Sequence, residues 1–168
     1  MNLSDVTKLP KGTYAFDNAW GSKQPVKTSL GTLQVLFMLN DKRPPDGEML
    51  RLADQLVAYA QTNTKFIREI IYGSYRYFVT EYGPDTVENC QVPADLKPEQ
   101  IRKYCDPELV VERDPTDGLQ PIPYACRITV NPQWEPEHNL SLEFRDGAIV
   151  TVNQSPFRLE TGILREEY

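Results

Sequence analysis

The sequence has few of the residues on which common metal, redox and nucleophilic sites depend. Its 168 residues include one histidine and three cysteines. A single histidine excludes zinc sites built from several imidazoles. Cys90, Cys105 and Cys126 show no C-x-x-C spacing, and an odd number leaves at least one thiol unpaired in a monomer. We therefore interpret them as reduced thiols of a cytoplasmic protein, and we predict no metal, no cofactor and no catalytic residue.

Long apolar segments are also missing. The longest apolar run is Val35–Leu39, far short of the ~20 residues that cross a bilayer. The first ten residues lack the apolar stretch of a secretory signal. Both observations predict a cytoplasmic protein without a membrane segment.

Basic residues are outnumbered by acidic ones. Lys and Arg together number 18 and Asp and Glu 24, which gives a net charge of −6 and a pI near 4.9. Because an acidic chain repels phosphate backbones, we predict that nucleic acid is not a partner. The densest basic stretches, Asp41–Arg43 and Ile101–Lys103, are short and have acidic neighbours. A basic protein partner is electrostatically favoured, although solubility alone is the plainer explanation of the charge.

The length and composition indicate one folded domain. Apolar residues make up 40% of the chain and aromatic residues 10%, which is enough to build a core and excludes disorder of the whole chain. We place a single domain at residues 12–153, after a lead-in at 1–11. Residues 154–168 have no clear periodicity and are predicted to be a partly ordered tail.

Strand patterns dominate residues 12–40. Gly12–Phe16 alternates weakly, and Thr32–Leu39 has the apolar and β-branched content of a central strand. Gly21–Ser29 is predicted as a turn with a short edge strand, because Pro25 cannot donate a backbone hydrogen bond.

Two amphipathic helices are predicted next. Each has core-facing positions that recur with a period of about 3.6 residues. Asp46 is the predicted N-cap of the first and Asn63 of the second, which ends at Gly83-Pro84. The core-facing positions are Met49, Leu52, Ala53, Leu56, Val57 and Ala60, and then Ile67, Ile70, Ile71, Ser74 and Phe78.

The remainder of the chain returns to strands. Residues 84–96 are predicted to be a loop, and a short third helix with Pro98 in its first turn ends at Cys105–Pro107. Asp146-Gly147 between two alternating runs is a strong hairpin signal. The order of strands, helices and strands indicates an α+β fold with a largely antiparallel sheet, two main helices and one short helix. The later strands are predicted at Leu109–Glu112, Tyr124–Val130, Leu140–Phe144 and Ala148–Val152.

Several tyrosines crowd the second helix. Tyr75 and Tyr77 are candidate binding residues, since exposed tyrosines are common in interfaces. The plainer interpretation is that they cover the sheet with their hydroxyls pointing outward.

The densest group of chemically versatile residues is Trp134–Asn139. Glu135, Glu137 and His138 bring two carboxylates beside an imidazole, a combination that can bind a metal or move a proton. Adjacent side chains of an extended segment point to opposite faces, so Glu137 and His138 converge only if the chain turns. The alternative is a structural connection into the next strand, in which Trp134 covers the core.

The same segment carries a resemblance to a known family. Trp134-Glu135-Pro136-Glu137-His138-Asn139-Leu140, followed by Phe144-Arg145-Asp146-Gly147, resembles the C-terminal signature of an uncharacterised bacterial domain family. That signature reads Trp-Asp-Pro-Glu-His-Gly, then a strand, Asp-Gly and a final strand. The paired tyrosines of Tyr75-Arg76-Tyr77 also match the family's order of elements. The resemblance covers about residues 10–153 and implies no established activity, but families of this kind are suspected to include immunity proteins of toxins.

Two departures from the signature concern the backbone and the acidic side chain. Glu135 stands in place of Asp, which moves the carboxylate by one methylene. Asn139 stands in place of Gly, and these two residues best tolerate positive φ. We therefore predict a left-handed backbone at this position, which is a structural requirement.

Three functions remain open at the level of sequence. The first is a non-enzymatic protein-interaction module, of the immunity-protein kind, that masks a basic partner through Trp134 and the carboxylates and tyrosines. The second is an enzyme or a binder of a small ligand or metal that uses Glu135, Glu137 and His138. The third is a structural domain without a discrete site. The oligomeric state is not assigned.

Overall fold

The computed structural model describes residues 1–10, 18–28, 30–114 and 123–153, and the backbone of 157–160 and 163–166. Two short 3₁₀ helices lie at Leu3–Asp5 and Pro98–Tyr104. The α-helices are α1 (Gly47–Thr62), α2 (Thr64–Tyr82) and α3 (Pro84–Asn89). The first strands are β1 (Val6–Lys8), β2 (Ala19–Ser22), β3 (Val26–Thr28), β4 (Gly31–Leu33) and β5 (Val35–Leu39). The later ones are β6 (Cys105–Arg113), β7 (Tyr124–Pro132), β8 (Leu140–Arg145), β9 (Ala148–Asn153), β10 (Phe157–Glu160) and β11 (Ile163–Glu166).

The main sheet has seven strands in the order β1-β2-β5-β6-β7-β8-β9. Its neighbouring strands are antiparallel except β5 and β6, which run parallel. A parallel pair needs a crossover connection, and here the three α-helices supply it between β5 and β6. The predicted single-domain α+β fold with a largely antiparallel sheet is confirmed. Two separate hairpins, β3-β4 and β10-β11, accompany the sheet.

The helices begin and end largely where local chemistry predicts. The Asp46 carboxylate accepts a hydrogen bond from the Met49 backbone N–H at 3.0 Å, so the predicted cap of α1 is confirmed. Gly83 has a φ of 84° and ends α2, as expected. Asn63 occupies the N-cap position of α2 but makes no capping hydrogen bond there. Its side-chain amide instead donates to the Tyr59 carbonyl at 3.1 Å, because α1 and α2 follow each other so closely that Asn63 closes the first helix.

The prediction of a loop at residues 84–96 is wrong for the first half of that segment. Pro84–Asn89 forms α3, since proline is well suited to the first position of a helix. The short helix predicted near Pro98 is present, as a 3₁₀ helix. It ends at Tyr104, which agrees with the predicted end by Cys105–Pro107. Cys105 begins β6, where it pairs with Pro132 across the sheet. Tertiary pairing therefore extends the strand beyond the apolar run visible in the sequence.

The hairpin between β8 and β9 is confirmed. Asp146 and Gly147 have φ values of 49° and 85°, the positive pair that a type I′ turn requires. The pairing register shifts between Glu143 and Phe144, which indicates a β-bulge.

The start of the chain differs from the sequence-based division. Val6–Lys8 lies in the segment predicted as a lead-in, yet it pairs with β2 at the edge of the main sheet. The strand predicted over Thr32–Leu39 is divided at Gln34 into β4 and β5. The strand predicted at Gly12–Phe16 lies outside the described residues. In the predicted tail, the backbones of β10 and β11 pair as a hairpin, and the domain boundaries stay a prediction.

The core lies between the helices and one face of the sheet. Phe37, Val111, Ile128 and Leu142 are contributed by four neighbouring strands and are buried in the same cluster as the apolar stripes of α1 and α2. A smaller cluster of Ala19, Leu36, Met38 and Val110 lies on the other face. Among the helices of the described residues, none combines the length and apolar character needed to span a bilayer.

Candidate functional site

The segment Trp134–Asn139 turns back on itself between β7 and β8. The backbone N–H of Glu135 donates to the Pro132 carbonyl at 3.3 Å, and that of His138 donates to the Glu135 carbonyl at 3.4 Å. Gln133 fixes the segment to the helical layer: its backbone N–H bonds the Tyr104 carbonyl at 2.8 Å and its amide the Cys90 carbonyl at 2.9 Å. The turn is therefore held in a defined shape at the edge of the core.

Trp134 lies inside this turn and is fully buried. Its ring meets that of Tyr75 edge to face, with centroids 5.6 Å apart and an interplanar angle of 75°, a favourable arrangement for two aromatic rings. The indole N–H has no hydrogen-bond partner among the described residues. Of the two interpretations of Trp134, the structure supports the one in which the ring covers the core.

Tyr75 is also buried, and its hydroxyl does not point outward as expected. The hydroxyl donates to the Pro93 carbonyl at 2.7 Å and accepts from the Leu96 backbone N–H at 3.2 Å. The hydroxyl of Tyr72 donates to the Leu96 carbonyl at 3.0 Å. Because these bonds satisfy buried backbone groups, both tyrosines tie the segment after α3 to α2. Tyr75 is thus a structural residue.

The turn brings two of the predicted site residues together. His138 Nδ1 lies 3.2 Å from Glu135 Oε1, and the side chains are 55% and 23% exposed. Burial raises the pKa of Glu135, and the neighbouring His138 only partly offsets this. The pair is a half-exposed hydrogen-bonding unit.

Glu137 and His138 share an open polar cleft of about 390 Å³. The turn brings them to one side, which an extended chain would not do. Glu135 faces a second cleft of about 340 Å³, together with Lys103 and Tyr104. The other residues of the first cleft are Arg127, Thr129, Asn139, Ser141, Glu143 and Asn153. Glu137 and Glu135 therefore line different clefts.

The prediction of a left-handed backbone at Asn139 is wrong. In the described part of the chain, positive φ values outside glycine occur at Gln91, Asp114 and Asp146. The turn reverses through hydrogen-bonded residues before Asn139, so the residue that enters β8 needs no special backbone conformation.

Tyr77 of α2 is influenced by the charge of the turn. It is half-buried, and its pKa is raised by this burial first and then by Glu81, Tyr82 and Glu135. The charge of Glu135 therefore acts on the hydroxyl of a residue far away in sequence. Glu81 follows Tyr77 by one helical turn on the same side of α2. We call the group Tyr77, Glu81, Tyr82 and Glu135 the acidic tyrosine surface.

Tyr82 is an exposed member of this surface. Its side chain is 58% exposed, one of the largest apolar exposures among the described residues. Its ring stacks on Phe78, with centroids 4.6 Å apart. The sequence pattern singled out neither Tyr82 nor Glu81. The available signal was a Tyr and a Glu at the end of an amphipathic helix.

Two of the three cysteines are poor nucleophiles in this fold. Burial raises the pKa of both Cys105 and Cys126 to about 12, so their thiols stay protonated near neutral pH. Cys90 is half-buried and its backbone carbonyl binds Gln133. In the part of the chain that the structure describes, no cluster of His, Cys, Asp and Glu is arranged to hold a metal ion.

A second charged group surrounds Arg113 at the end of β6. Its buried guanidinium binds Asp41 at 3.0 Å, the Pro44 carbonyl at 2.9 Å and Asp46 at 2.8 Å. The Tyr124 hydroxyl donates to Asp46 at 3.0 Å. This network joins the loop before α1 to β6 and β7, and neither composition nor spacing predicted it.

These features define a single α+β domain whose turn between β7 and β8 packs on α2 through Trp134 and Tyr75. The chain belongs to the family of a domain of unknown function, DUF6985, whose model matches residues 10–156. Searches of curated proteins and of solved structures gave no match.

Proposed function

We propose that this protein is a non-enzymatic interaction module that binds a basic segment of another protein at the acidic tyrosine surface. The observation that carries the proposal is that the exposed side chains of Glu81 and Tyr82 lie together at the end of α2. The charge of Glu135 from the turn acts on the same helix, where it raises the pKa of Tyr77. Carboxylates beside half-exposed tyrosines suit an interface with a cationic partner.

The surroundings of this surface support the same partner chemistry. The chain has a net charge of −6, and α3, which follows Tyr82 directly, exposes Asp85 and Glu88. Glu137 of the turn is also exposed. A field of this sign raises the encounter rate with a basic protein. Masking a basic protein is the task of an immunity-type protein, and the proposal extends to that role.

Affinity capture with charge-neutral variants tests the proposal. We expect the wild-type chain to retain a stoichiometric basic partner from native lysate, and Glu81→Gln with Glu135→Gln to lose it. Glu69→Gln is the matched control, because Glu69 is an exposed carboxylate of the same helix, three turns before Glu81 and ~18 Å away along the axis. The interaction should also weaken with salt. Equal capture by both variants would contradict the proposal.

A second candidate function uses the other side of the turn. Glu137 and His138 share a polar cleft with Arg127 and Glu143, so a small polar ligand, or a metal that it brings, is the alternative to a protein partner. A thermal-shift screen of polar metabolites and divalent cations tests it. A shift that is lost in His138→Ala and Glu137→Ala, but kept in Glu69→Gln, would favour this function over the first.

A further inference from the structure

We infer that the polar cleft of Glu137 and His138 binds a small organic amine that carries several hydroxyl groups, the class to which amino sugars belong. This inference rests on the second candidate function and adds the class of ligand. It is carried by the register of the sheet, which collects polar side chains on one face, and by the contacts that hold the charged ones in place.

The floor of the cleft is a polar part of the main sheet. Thr129 of β7 lies opposite Ser141 of β8, which lies opposite Asn153 of β9, and Arg127 lies opposite Glu143 in the neighbouring row. Residues directly opposite each other share a face of the sheet. The residues between them along β7 and β8 belong to the core, so this face points away from the helices. Hydroxyl, amide, guanidinium and carboxylate groups therefore meet in one place.

Two side chains of the cleft are held by partners that do not line it. His138 Nδ1 lies 3.2 Å from Glu135 Oε1, which leaves Nε2 as the ring nitrogen that can meet a ligand. The Arg127 guanidinium binds the buried carboxylate of Glu112 at 2.8 Å. Groups that are fixed before a ligand arrives lose less conformational entropy when it binds.

The cleft also presents carboxylates from two elements. Glu143 of β8 is held in the sheet, because its Oε1 accepts hydrogen bonds from the Ser141 hydroxyl and the Asn153 amide, both at 3.4 Å. Glu137 lines the same cleft from the turn and is exposed. A cationic group in the cleft therefore lies in the field of both carboxylates.

The polarity and charge of the cleft select the ligand. All of the described residues that line it have polar side chains, so an apolar ligand would leave them without hydrogen-bond partners. Glu112 balances the charge of Arg127, and Glu137 and Glu143 then make the cleft negative, so an anion is repelled. An ammonium group forms charge-assisted hydrogen bonds with carboxylates, and hydroxyl groups both donate and accept. The volume of about 390 Å³ suits a molecule the size of one sugar.

Titration with an amino sugar tests this inference. The probe is glucosamine, and the full chain is followed by NMR spectra of its backbone amides, which report both the affinity and the place of binding. The comparison compounds are N-acetylglucosamine, which lacks the positive charge, and glucuronate, which carries a negative one. We expect saturable shifts for glucosamine at residues 127–129 and 137–143, binding of N-acetylglucosamine that is weaker by about fivefold or more, and no binding of glucuronate.

Charge-neutral variants separate recognition from general loss of structure. Glu143→Gln and Glu137→Gln should each weaken binding of glucosamine and narrow its advantage over N-acetylglucosamine, because each removes a carboxylate that the ammonium group meets. Glu69→Gln, an exposed carboxylate of α2 outside the cleft, should bind as wild type does. The melting temperature of each variant is measured beside it, and the exposed position of Glu137 keeps the test open if Glu143→Gln fails to fold.

The outcomes distinguish this inference from the proposed functions. No saturable shift with glucosamine, shifts centred outside the cleft, equal binding of glucuronate, or an unchanged affinity in Glu137→Gln would overturn the hydroxylated amine as ligand. If the thermal-shift screen still finds another polar ligand that depends on Glu137 and His138, the second candidate function stands without this class of ligand. If no ligand depends on these residues, the second candidate function fails as well, and the interaction module is tested separately by its own capture experiment.

Discussion

At the scale of single residues, the main result is the division of the Trp134–Asn139 segment into a buried half and an exposed half. Trp134 packs on Tyr75 inside the core, whereas Glu137 and His138 face an open cleft. Glu135 stands between them, half-buried and bonded to His138. A single segment thus stabilises the fold and presents charge to solvent.

Replacing Trp134 tests how much its buried indole ring contributes to stability. Trp134→Ala should lower the free energy of unfolding by ~3–5 kcal/mol, because it leaves a large cavity in a core that cannot fully collapse. Urea denaturation followed by circular dichroism measures this. Trp134→Phe, which keeps a ring against Tyr75, should lose clearly less stability. An unchanged midpoint in Trp134→Ala would show that the ring adds little to the core.

Replacing the half-buried carboxyl tests the electrostatics of the turn. Because burial raises the pKa of Glu135 above its usual 4.5, the protonated side chain is favoured in the folded state. The stability from this preference is present below pH 4.5 and is lost as the pH rises through the folded pKa. Glu135→Gln should therefore be more stable than wild type near neutral pH, and the difference should shrink in acid. Thermal unfolding at several pH values measures this difference in stability, with the exposed Glu137→Gln as the control. A difference between Glu135→Gln and wild type that does not change with pH would contradict the raised pKa of Glu135.

At the scale of elements, local sequence signals control where helices and hairpins begin and end. The Asp46 cap, the Gly83 terminus and the Asp146-Gly147 turn all match expectation. Asn63 shows where such signals fail: its position is correct, but its side chain bonds the preceding helix. Because the connection is so short, Asn63 lies at the end of α1 and at the start of α2.

The hairpin turn offers a prediction free of packing effects. A side chain at Gly147 would meet no atom within 4 Å, but its φ of 85° is strained for other residues. Gly147→Ala should therefore cost about 1 kcal/mol, while Gly147→Asn should cost much less because asparagine tolerates this conformation. Chemical denaturation of the two variants gives the comparison. Equal costs would mean that backbone strain is not the cause.

At the scale of the whole molecule, distant elements are joined by the parallel pairing of β5 with β6 and by the charges beside it. The Arg113 guanidinium, buried at the end of β6, binds Asp41 and Asp46, and Tyr124 of β7 adds a hydrogen bond. The network thereby fixes the start of α1 against the sheet. It is a tertiary feature, since its members come from three separate parts of the chain.

Acid should weaken this network, and Asp46→Asn isolates the contribution of the Asp46 charge. Burial acts to raise the pKa of Asp46, but the hydrogen bonds from Met49 and Tyr124 and the charge of Arg113 lower it below the usual 3.8. Its stabilising effect is present above pH 3.8 and is lost as the pH falls through the folded pKa. Asp46→Asn keeps a capping oxygen and removes the charge. Its loss of stability relative to wild type should therefore be largest near neutral pH and vanish in acid. A deficit that persists in acid would contradict this.

The sequence alone determined the elements whose signals are local. The stripes of α1 and α2, the cap at Asp46 and the Asp146-Gly147 turn depend on residues within a few positions of one another, and so does the order of elements that indicated an α+β fold. Only the tertiary structure decided the parallel pairing of β5 with β6 and the burial of Trp134 against Tyr75. These contacts join residues far apart in the chain, and no periodicity in a sequence records which distant surfaces meet.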